Sequence, residues 1–347
     1  MSVVVEYREL APGYRIPRVI RGGWQLAGDH GPVEKERAVA DMALFIQAGL
    51  NTVDGADIYT GVEDMYGEFN ARQSTAGQPR MQVHTKLVPD YGDLARIDAG
   101  YVRKSIERSL HRLRAERLDL VQLHWWDYSV QRYLDAALAL RDLQGEGLIA
   151  NVGGTNFDSP RAEELLHAGV PLVSMQTQYS LLDRRAGGRM AKVAAENGFQ
   201  YLCYGTLAGG FLTEHWLGRA EPSEPIGNRS LVKYRLIIEE FGGWNAFQTL
   251  LQTLHAIAQK HAVNLSSVAV RWVLQQPEVA AAIVGARYAD HLPKTLEVFS
   301  FELDIHDLVL IDSVLKKYPG PSGEPYTLER DKTGRHGRIM KYELNKT

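Results

Sequence analysis

Three stretches decide the fold of this chain of 347 residues: VDGADIY (residues 53–59), VHTKL (83–87) and LVQLHWWD (120–127). Each is a short apolar segment that ends in polar residues able to take part in chemistry. Asp54 and Tyr59 belong to the first, Lys86 to the second and His124 to the third. A parallel barrel gathers the carboxyl ends of its strands around one opening, so these four side chains are predicted to meet there.

Segments of the same kind recur along the chain and alternate with amphipathic segments of helical length. Strands are predicted at residues 18–26, 50–54, 81–87, 118–124, 149–154, 172–176, 200–204 and 280–285. Helices are predicted at residues 34–48, 99–113, 134–146, 160–168, 188–197, 246–261, 266–275, 290–298 and 304–316. Eight strands with intervening helices predict an α/β fold, the (β/α)8 TIM barrel.

Two regions fall outside this rhythm. Residues 213–244 are predicted to be a long loop after the seventh strand that folds over a ligand; it carries Pro222, Pro225, Asn228, Arg229 and the turn Gly242-Gly243-Trp244. We expect residues 1–319 to form a single barrel domain and residues 320–347 to be a tail that acts as a lid or is disordered.

Composition favours a small-molecule partner. The net charge of -3 gives no field that would hold nucleic acid or an anionic membrane surface. Cys203 is the single cysteine, and neither a signal peptide nor a membrane-spanning segment is evident, so a cytoplasmic location is expected. The oligomeric state stays open.

Together the four polar residues point to proton transfer, although each alone has a structural explanation, such as a satisfied core histidine at position 124. A free tyrosine titrates near pH 10, and a neighbouring Lys86 ammonium would lower that pKa. Asp54 would hold Lys86 in place, and His124 would donate a hydrogen bond to a carbonyl oxygen or orient the substrate beside Tyr59. A proton donor beside a carbonyl still needs a hydride source, which a nicotinamide cofactor supplies.

At these residues the chain resembles the aldo-keto reductase superfamily, and the HWWDY run resembles a little-characterised branch of it. VDGADIY is similar to the family's aspartate and tyrosine motif, VHTKL to its lysine strand and LVQLHWWD to its histidine strand. The resemblance implies a reduction of aldehydes or ketones, or the reverse oxidation of alcohols. Tyr59 would be the general acid or base, Lys86 and Asp54 would tune it, and His124 would help to bind the carbonyl.

The resemblance also implies a cofactor site. Thr155 and Asn156, with Gln176, would hold the nicotinamide carboxamide; Tyr204 would stack on the ring, and Leu207 would meet the pyrophosphate. Arg287 would pair with a ribose 2′-phosphate, which favours NADP over NAD. The full predicted set is Gly23, Trp24, Thr155, Asn156, Gln176, Tyr204, Gly205, Leu207, Gly285, Arg287 and His291.

The substrate side is less defined. Trp24 and Trp125 are predicted to line an aromatic pocket suited to aromatic or apolar carbonyl compounds, with Trp126, Tyr128 and Trp244 as further candidates. His291, Lys294 and Thr295 stand where the family often has other residues, so the adenosine half of the site departs from the family pattern.

Two other functions are compatible with parts of this pattern. One is a redox-sensing module that binds nucleotide and resembles the potassium-channel β subunits. The other is a metal-dependent barrel hydrolase that uses His84, His124 and an acid; the chain lacks the His-x-His strand of such sites, and no metal is predicted.

Overall fold

Within residues 3–27, 31–223 and 229–345, which the computed structural model describes, eight parallel strands close into a barrel. Two further strands precede it as an antiparallel hairpin, β1 (Tyr7–Ala11) and β2 (Tyr14–Pro17). The barrel strands are β3 (Val19–Gly22), β4 (Thr52–Asp54), β5 (Gln82–Leu87), β6 (Leu120–His124), β7 (Val152–Thr155), β8 (Leu172–Gln178), β9 (Gln200–Tyr204) and β10 (Val279–Gly285). Each pairs with the next, and β10 closes on β3, which confirms the predicted (β/α)8 barrel.

Helices surround the barrel. They are α1 (Lys35–Gln47), α2 (Val62–Thr75), α3 (Ala99–Leu113), α4 (Tyr133–Gly145), α5 (Ser159–His167), α6 (Arg189–Asn197), α7 (Arg229–Phe241), α8 (Gly243–His261), α9 (Leu265–Leu274), α10 (Leu292–Leu296), α11 (Ile305–Lys317), α12 (Thr327–Arg330) and α13 (Arg335–Arg338). Local sequence sets several boundaries: the Asp98 carboxylate accepts from the Tyr101 amide at the start of α3, and Asp158 caps α5 in the same way.

Most predicted elements are present within a few residues of their predicted bounds. The predicted first strand is shorter, because the chain turns into a 3-10 helix over Trp24–Leu26 after β3. The predicted helix at 290–298 is instead three short pieces, with α10 between two 3-10 turns. Neither difference moves a strand end away from the mouth.

The hairpin closes the N-terminal end of the barrel and was not predicted. Leu10 and Ile16 pack against Ile20 and Leu202 of the barrel strands. The Tyr14 hydroxyl lies 3.0 Å from Nε2 of His84. His84 therefore faces the hairpin at the end remote from His124, so these two histidines do not form the metal site that a barrel hydrolase would need. The described residues also contain no cluster of three or more His, Cys, Asp or Glu that could hold a metal.

The region predicted as a long loop contains helix α7 and the start of α8, so that prediction is wrong for its second half. Gly242 has a φ of +133° and forms the junction between the two helices. Trp244 packs against Phe211, Trp216 and Phe247. It is therefore a packing residue rather than a pocket wall; Pro225 and Asn228 lie outside the described residues.

The tail after α11 runs back across the barrel mouth. Arg330 donates hydrogen bonds to the backbone carbonyls of Trp125 and Asn156, the latter at 2.6 Å. Further along, the Asn345 side chain donates to the carbonyl of Val88 at 2.8 Å. The described part of this segment, residues 320–345, therefore lies against the barrel mouth, and its action as a lid stays a prediction. Among the described helices, none is long and apolar enough to cross a membrane.

Candidate active site

The carboxyl ends of the barrel strands surround a cavity of about 620 Å³. Parallel strands bring these ends together, and residues from every barrel strand line the cavity. The strand residues at its wall include Gly22, Asp54, Lys86, His124, Thr155, Gln176, Tyr204 and Gly285. A cavity of this size suits a small organic ligand.

Lys86 and Asp54 form a buried ion pair at the cavity floor. The ammonium donates to both carboxylate oxygens at 2.8 and 2.7 Å and to the carbonyl of Gly55 at 2.7 Å. Both side chains are only 5% exposed. Burial lowers the pKa of Lys86, while Asp54 acts in the opposite direction. With all three N–H donors engaged, the ammonium is held in one position.

Gln176 extends this pair toward the next strands. Its amide nitrogen donates to Oδ1 of Asp54 at 2.7 Å and lies 3.3 Å from Oε1 of Gln122. The amide nitrogen of Gln122 is buried without a partner among the described residues. The amide nitrogen of Gln176 is therefore engaged by the Lys86–Asp54 pair in this structure.

Tyr59 lies beside the ion pair, on the turn that leads into α2. Its ring centre is 5.2 Å from Nζ of Lys86 and 5.0 Å from the ring of Trp24. The amide of Val62 donates to the carbonyl of Tyr59, which fixes the turn. The predicted constellation of Asp54, Tyr59 and Lys86 is thus brought together.

The pKa of Tyr59 shifts opposite to the prediction. Burial raises the pKa of this phenol well above 10, and the Asp54 carboxylate raises it further. Lys86 does not offset this rise in the pKa of Tyr59, because the paired Asp54 carboxylate at 2.7 Å nearly cancels its charge. Tyr59 is therefore a protonated phenol at neutral pH. That state suits donation of a proton rather than removal of one.

His124 lies across the mouth, packed edge-on against Trp126 and Tyr326. Nδ1 lies 3.2 Å from the carbonyl oxygen of Thr155. A carbonyl oxygen only accepts, so Nδ1 carries the proton. Burial, with a contribution from Arg330, lowers the pKa of His124 to about 3, which keeps the ring neutral.

The neutral ring then has an unprotonated Nε2, an acceptor that has no partner among the described residues. The sequence predicted that His124 would donate a hydrogen bond to a carbonyl oxygen. This tautomer instead accepts from a donor, such as the hydroxyl of an alcohol. The bond from Nδ1 to the carbonyl of Thr155 sets this tautomer, and the sequence does not reveal that bond.

The opposite wall carries the residues predicted to hold a nicotinamide. The Tyr204 hydroxyl donates to Oδ1 of Asn156 at 2.9 Å, and Asn156 has a φ of +60°, a left-handed conformation that asparagine tolerates. Oγ1 of Thr155 is buried without a partner in the described part of the chain. Gly205, Leu207 and Gly285 also line the cavity. Unpaired polar atoms beside an aromatic ring fit a flat ligand that carries an amide.

Gly285 has a steric role at this wall. A Cβ there would lie 2.2 Å from Nε2 of Gln25, another lining residue. A side chain at this position would displace the Gln25 amide from its place at the cavity wall.

Four predicted site residues do not line this cavity. A Cβ at Gly23 would lie 2.4 Å from the Tyr66 hydroxyl, so this glycine serves close packing. Trp125 is fully buried, and its indole donates to the carbonyls of Asp127 and Val130. The prediction that Trp125 lines the pocket is therefore wrong: alternation along the chain turns it outward.

Trp126 takes that place at the cavity wall, and its indole donates to the carbonyl of Pro89 at 2.8 Å.

Arg287 and His291 are the other two predicted site residues that do not line the cavity. Nη1 of Arg287 lies 3.5 Å from the carbonyl of Pro32, and His291 is exposed on a 3-10 turn. The adenosine half of the predicted site thus lies outside the cavity.

Sequence reasoning missed the residues that α7 and the tail contribute. From α7 come Ser230, Val232, Lys233 and Tyr234; from the tail come Tyr326, Ile339, Met340, Lys341 and Leu344. The alternation of aromatic and charged residues in YTLERDK and RIMKYEL was the available signal.

Fold and site together define a (β/α)8 barrel whose mouth brings together Asp54, Tyr59, Lys86 and His124. The model of the aldo/keto reductase family matches residues 18–316. The chain therefore belongs to the aldo/keto reductase family, and it is an oxidoreductase of that family.

Individual proteins show the extent of the similarity. Flagellar radial spoke protein 5 of Chlamydomonas reinhardtii is 28% identical to this chain. The match covers 62% of this chain and only 48% of that protein. The aryl-alcohol dehydrogenase GME11368 of Pestalotiopsis microspora is 25% identical, over 94% of this chain and 85% of its own length. A solved glycerol dehydrogenase of Gluconobacter oxydans superposes with a TM-score of 0.75 at 24% identity, covering 92% of this chain and 97% of its own.

Proposed function

We propose that this protein is an NADPH-dependent carbonyl reductase in which Tyr59 donates a proton to the substrate oxygen. The observation that carries the proposal is the position of Tyr59. It stands beside the Lys86–Asp54 pair, with its pKa raised by burial and by Asp54, and it opens onto a cavity with Asn156 and Tyr204 at the same mouth.

The cavity residues divide into those that would hold the nicotinamide and those that would transfer the proton. A bound nicotinamide would supply the hydride. Asn156 and Thr155 offer polar groups for its carboxamide, and the Tyr204 ring offers a face for stacking. Tyr59 transfers its phenolic proton to the carbonyl oxygen, and the Lys86–Asp54 pair fixes the surroundings of its ring.

His124 has a separate role in this proposal. Its Nε2 accepts a hydrogen bond from the hydroxyl of the alcohol product, which positions that product beside Tyr59. Because its pKa is about 3, His124 does not itself supply the proton near neutral pH.

Aromatic carbonyl compounds fit the walls best. Trp24, Trp126 and Tyr326 surround the mouth, and such rings stack on aromatic substrates. The name of the similar fungal aryl-alcohol dehydrogenase agrees with this class. We propose NADPH rather than NADH because the Arg287 guanidinium suits a 2′-phosphate.

The experiment is NADPH oxidation with a panel of aromatic aldehydes, comparing Tyr59→Phe with the unchanged protein. Loss of the general acid should lower kcat by about 10²-fold or more, while the Kd for NADPH, measured by fluorescence titration, stays the same. Equal rates for both proteins would overturn the role of Tyr59. Nucleotide binding without turnover on any carbonyl would favour the redox-sensing module.

A matched titration tests the cofactor. Arg287→Leu should weaken NADPH binding and leave NADH binding nearly unchanged, since NADH lacks the 2′-phosphate. An equal loss for both nucleotides would show that Arg287 does not read the phosphate.

A further inference from the structure

Lys233 on α7 places a second ammonium at the cavity, apart from the proton-transfer pair. Its Nζ lies 5.1 Å from the ring centre of Tyr204 and 5.8 Å from that of Tyr326. The side chain is 17% exposed and lines the cavity wall. It is thus accessible to a ligand and largely shielded from bulk solvent.

The protein balances the charge of Lys233 but does not engage its hydrogen-bond donors. Nζ is 3.8 Å from the Glu329 carboxylate, longer than a hydrogen bond. Glu329 is occupied by Arg185, whose guanidinium donates to it at 3.3 Å. Burial lowers the pKa of Lys233, and Glu329 opposes that shift. An ammonium has three donors, and within the described residues Nζ makes no hydrogen bond of 3.5 Å or less, since its contact with Glu329 is 3.8 Å long.

Lys233 is a charged lining residue apart from Asp54 and Lys86, which neutralise each other at 2.7 Å. Its counter-charge, Glu329, is shared with Arg185. An anionic group that enters the cavity would give the Lys233 ammonium a partner at hydrogen-bonding distance, which Glu329 at 3.8 Å does not.

Lys233 and the reacting end border the same aromatic residue of the cavity wall. The Tyr326 ring lies 5.5 Å from the His124 ring and 5.8 Å from Nζ of Lys233. A ligand bound against Tyr326 is therefore near both groups. An aldehyde with an acidic group at its far end would present one group to each.

We propose that Lys233 binds an anionic group, a carboxylate or a phosphate, on the carbonyl substrate, so that acidic carbonyl compounds are reduced in preference to neutral ones. This rests on the proposed carbonyl reduction. The same donors suit a phosphate of the cofactor, so the experiment separates these two sources of the anion.

The test compares 4-carboxybenzaldehyde with its methyl ester, which differ in charge and share the reacting group. The unchanged protein should reduce the acid with the higher kcat/KM. Lys233→Met keeps an apolar stem and removes the ammonium; it should lower kcat/KM for the acid about tenfold or more, mainly through KM, and change the ester little. Lys233→Arg should retain much of the preference, and Lys104→Met, on the exposed surface of α3, should retain all of it.

Three outcomes would overturn the proposal. One is equal kcat/KM for acid and ester in the unchanged protein. Another is an equal loss for both substrates in Lys233→Met with a higher Kd for NADPH, which assigns the ammonium to the cofactor. The last is an undiminished preference for the acid in Lys233→Met.

A binding arm separates this proposal from the proposed function. Calorimetric titration of 4-carboxybenzaldehyde and its ester into the protein with saturating NADP⁺ needs no turnover. Preferential binding of the acid that Lys233→Met abolishes would support the anion site even if no carbonyl is reduced. Equal binding of acid and ester would refute it even if reduction occurs.

Discussion

Glu329→Gln is the most informative perturbation of the tail. The Glu329 carboxylate is 1% exposed and lies 3.3 Å from the equally buried guanidinium of Arg185 and 3.8 Å from Lys233. Burial alone would raise the pKa of Glu329, but Lys233 and Arg185 lower it overall. The carboxylate is thus ionised in the folded protein, and it links the tail to the barrel and to α7.

The expected cost follows from this geometry. With an effective dielectric constant of about 20, unit charges 3.3 Å apart attract by about 5 kcal/mol. Desolvation offsets part of that attraction, and breaking a buried pair typically costs about 3–5 kcal/mol. Glutamine still accepts a hydrogen bond, and Asp183 still pairs with Arg185 at 2.7 Å. We therefore expect the free energy of unfolding to fall by about 3 kcal/mol, the lower end of that range. The fall is smaller if the tail detaches at a lower cost than that.

Two assays distinguish these routes. Urea unfolding measures the loss of global stability, and trypsin cleavage at Arg330 or Lys332 measures release of the tail. A lower urea midpoint or faster cleavage is expected, whereas Glu239→Gln, which removes an exposed partner of Arg335, should change neither by much. Unchanged midpoint and unchanged cleavage in Glu329→Gln would refute the idea that this buried carboxylate fastens the tail.

Three further outcomes are expected. Asp54→Asn leaves Lys86 buried without a counter-charge, so we expect a lower pKa for Lys86 and a reduced rate of carbonyl reduction; a pH–rate profile identical to that of the unchanged protein would contradict this. The pKa of His124 in the folded protein is about 3, below its unfolded value, so its contribution to stability is present above about pH 6.5 and is lost as the pH falls toward 3. His124→Gln should therefore flatten the plot of unfolding free energy against pH between these values. An unaltered plot would argue against a neutral buried ring. Trp126→Leu should change KM for aromatic aldehydes more than it changes stability. Trp125→Leu should leave KM nearly unchanged and lower the free energy of unfolding by about 3 kcal/mol or more. The opposite pattern would show that Trp125 lines the pocket.

The barrel and the reacting ends of its strands could be predicted because both depend on local sequence. Short apolar runs that end at Asp54, Lys86 and His124 identify strands whatever surrounds them. Helix α2 was missed for a reason that sequence alone hides. Gly67 stands inside it, and a Cβ there would lie 2.2 Å from the carbonyl of Arg112 on α3. Glycine weakens the helical pattern but permits close packing of the two helices.

The tail could not be predicted, because its contacts join residues far apart in the chain. Glu329 looks like a solvated acid in sequence, and only folding brings it to Arg185, 144 residues earlier. The same holds for Lys233, which the sequence places as one charge within the predicted long loop. The N-terminal hairpin did carry a local signal, the Pro12-Gly13 turn with Gly13 at a φ of +72°, which is typical of a tight turn.

The pKa of Tyr59 sets a preference between the two directions of the proposed reaction. A phenol whose pKa is raised by burial and by Asp54 keeps its proton at neutral pH. Reduction of a carbonyl consumes that proton, whereas oxidation of an alcohol first requires its loss. In the proposed mechanism, the protonated phenol present at neutral pH is the form that reduction uses, whereas oxidation would need the phenolate. The Lys86 ammonium reinforces this, since it is fastened to Asp54 at 2.7 Å and leaves little net charge to stabilise a resting phenolate.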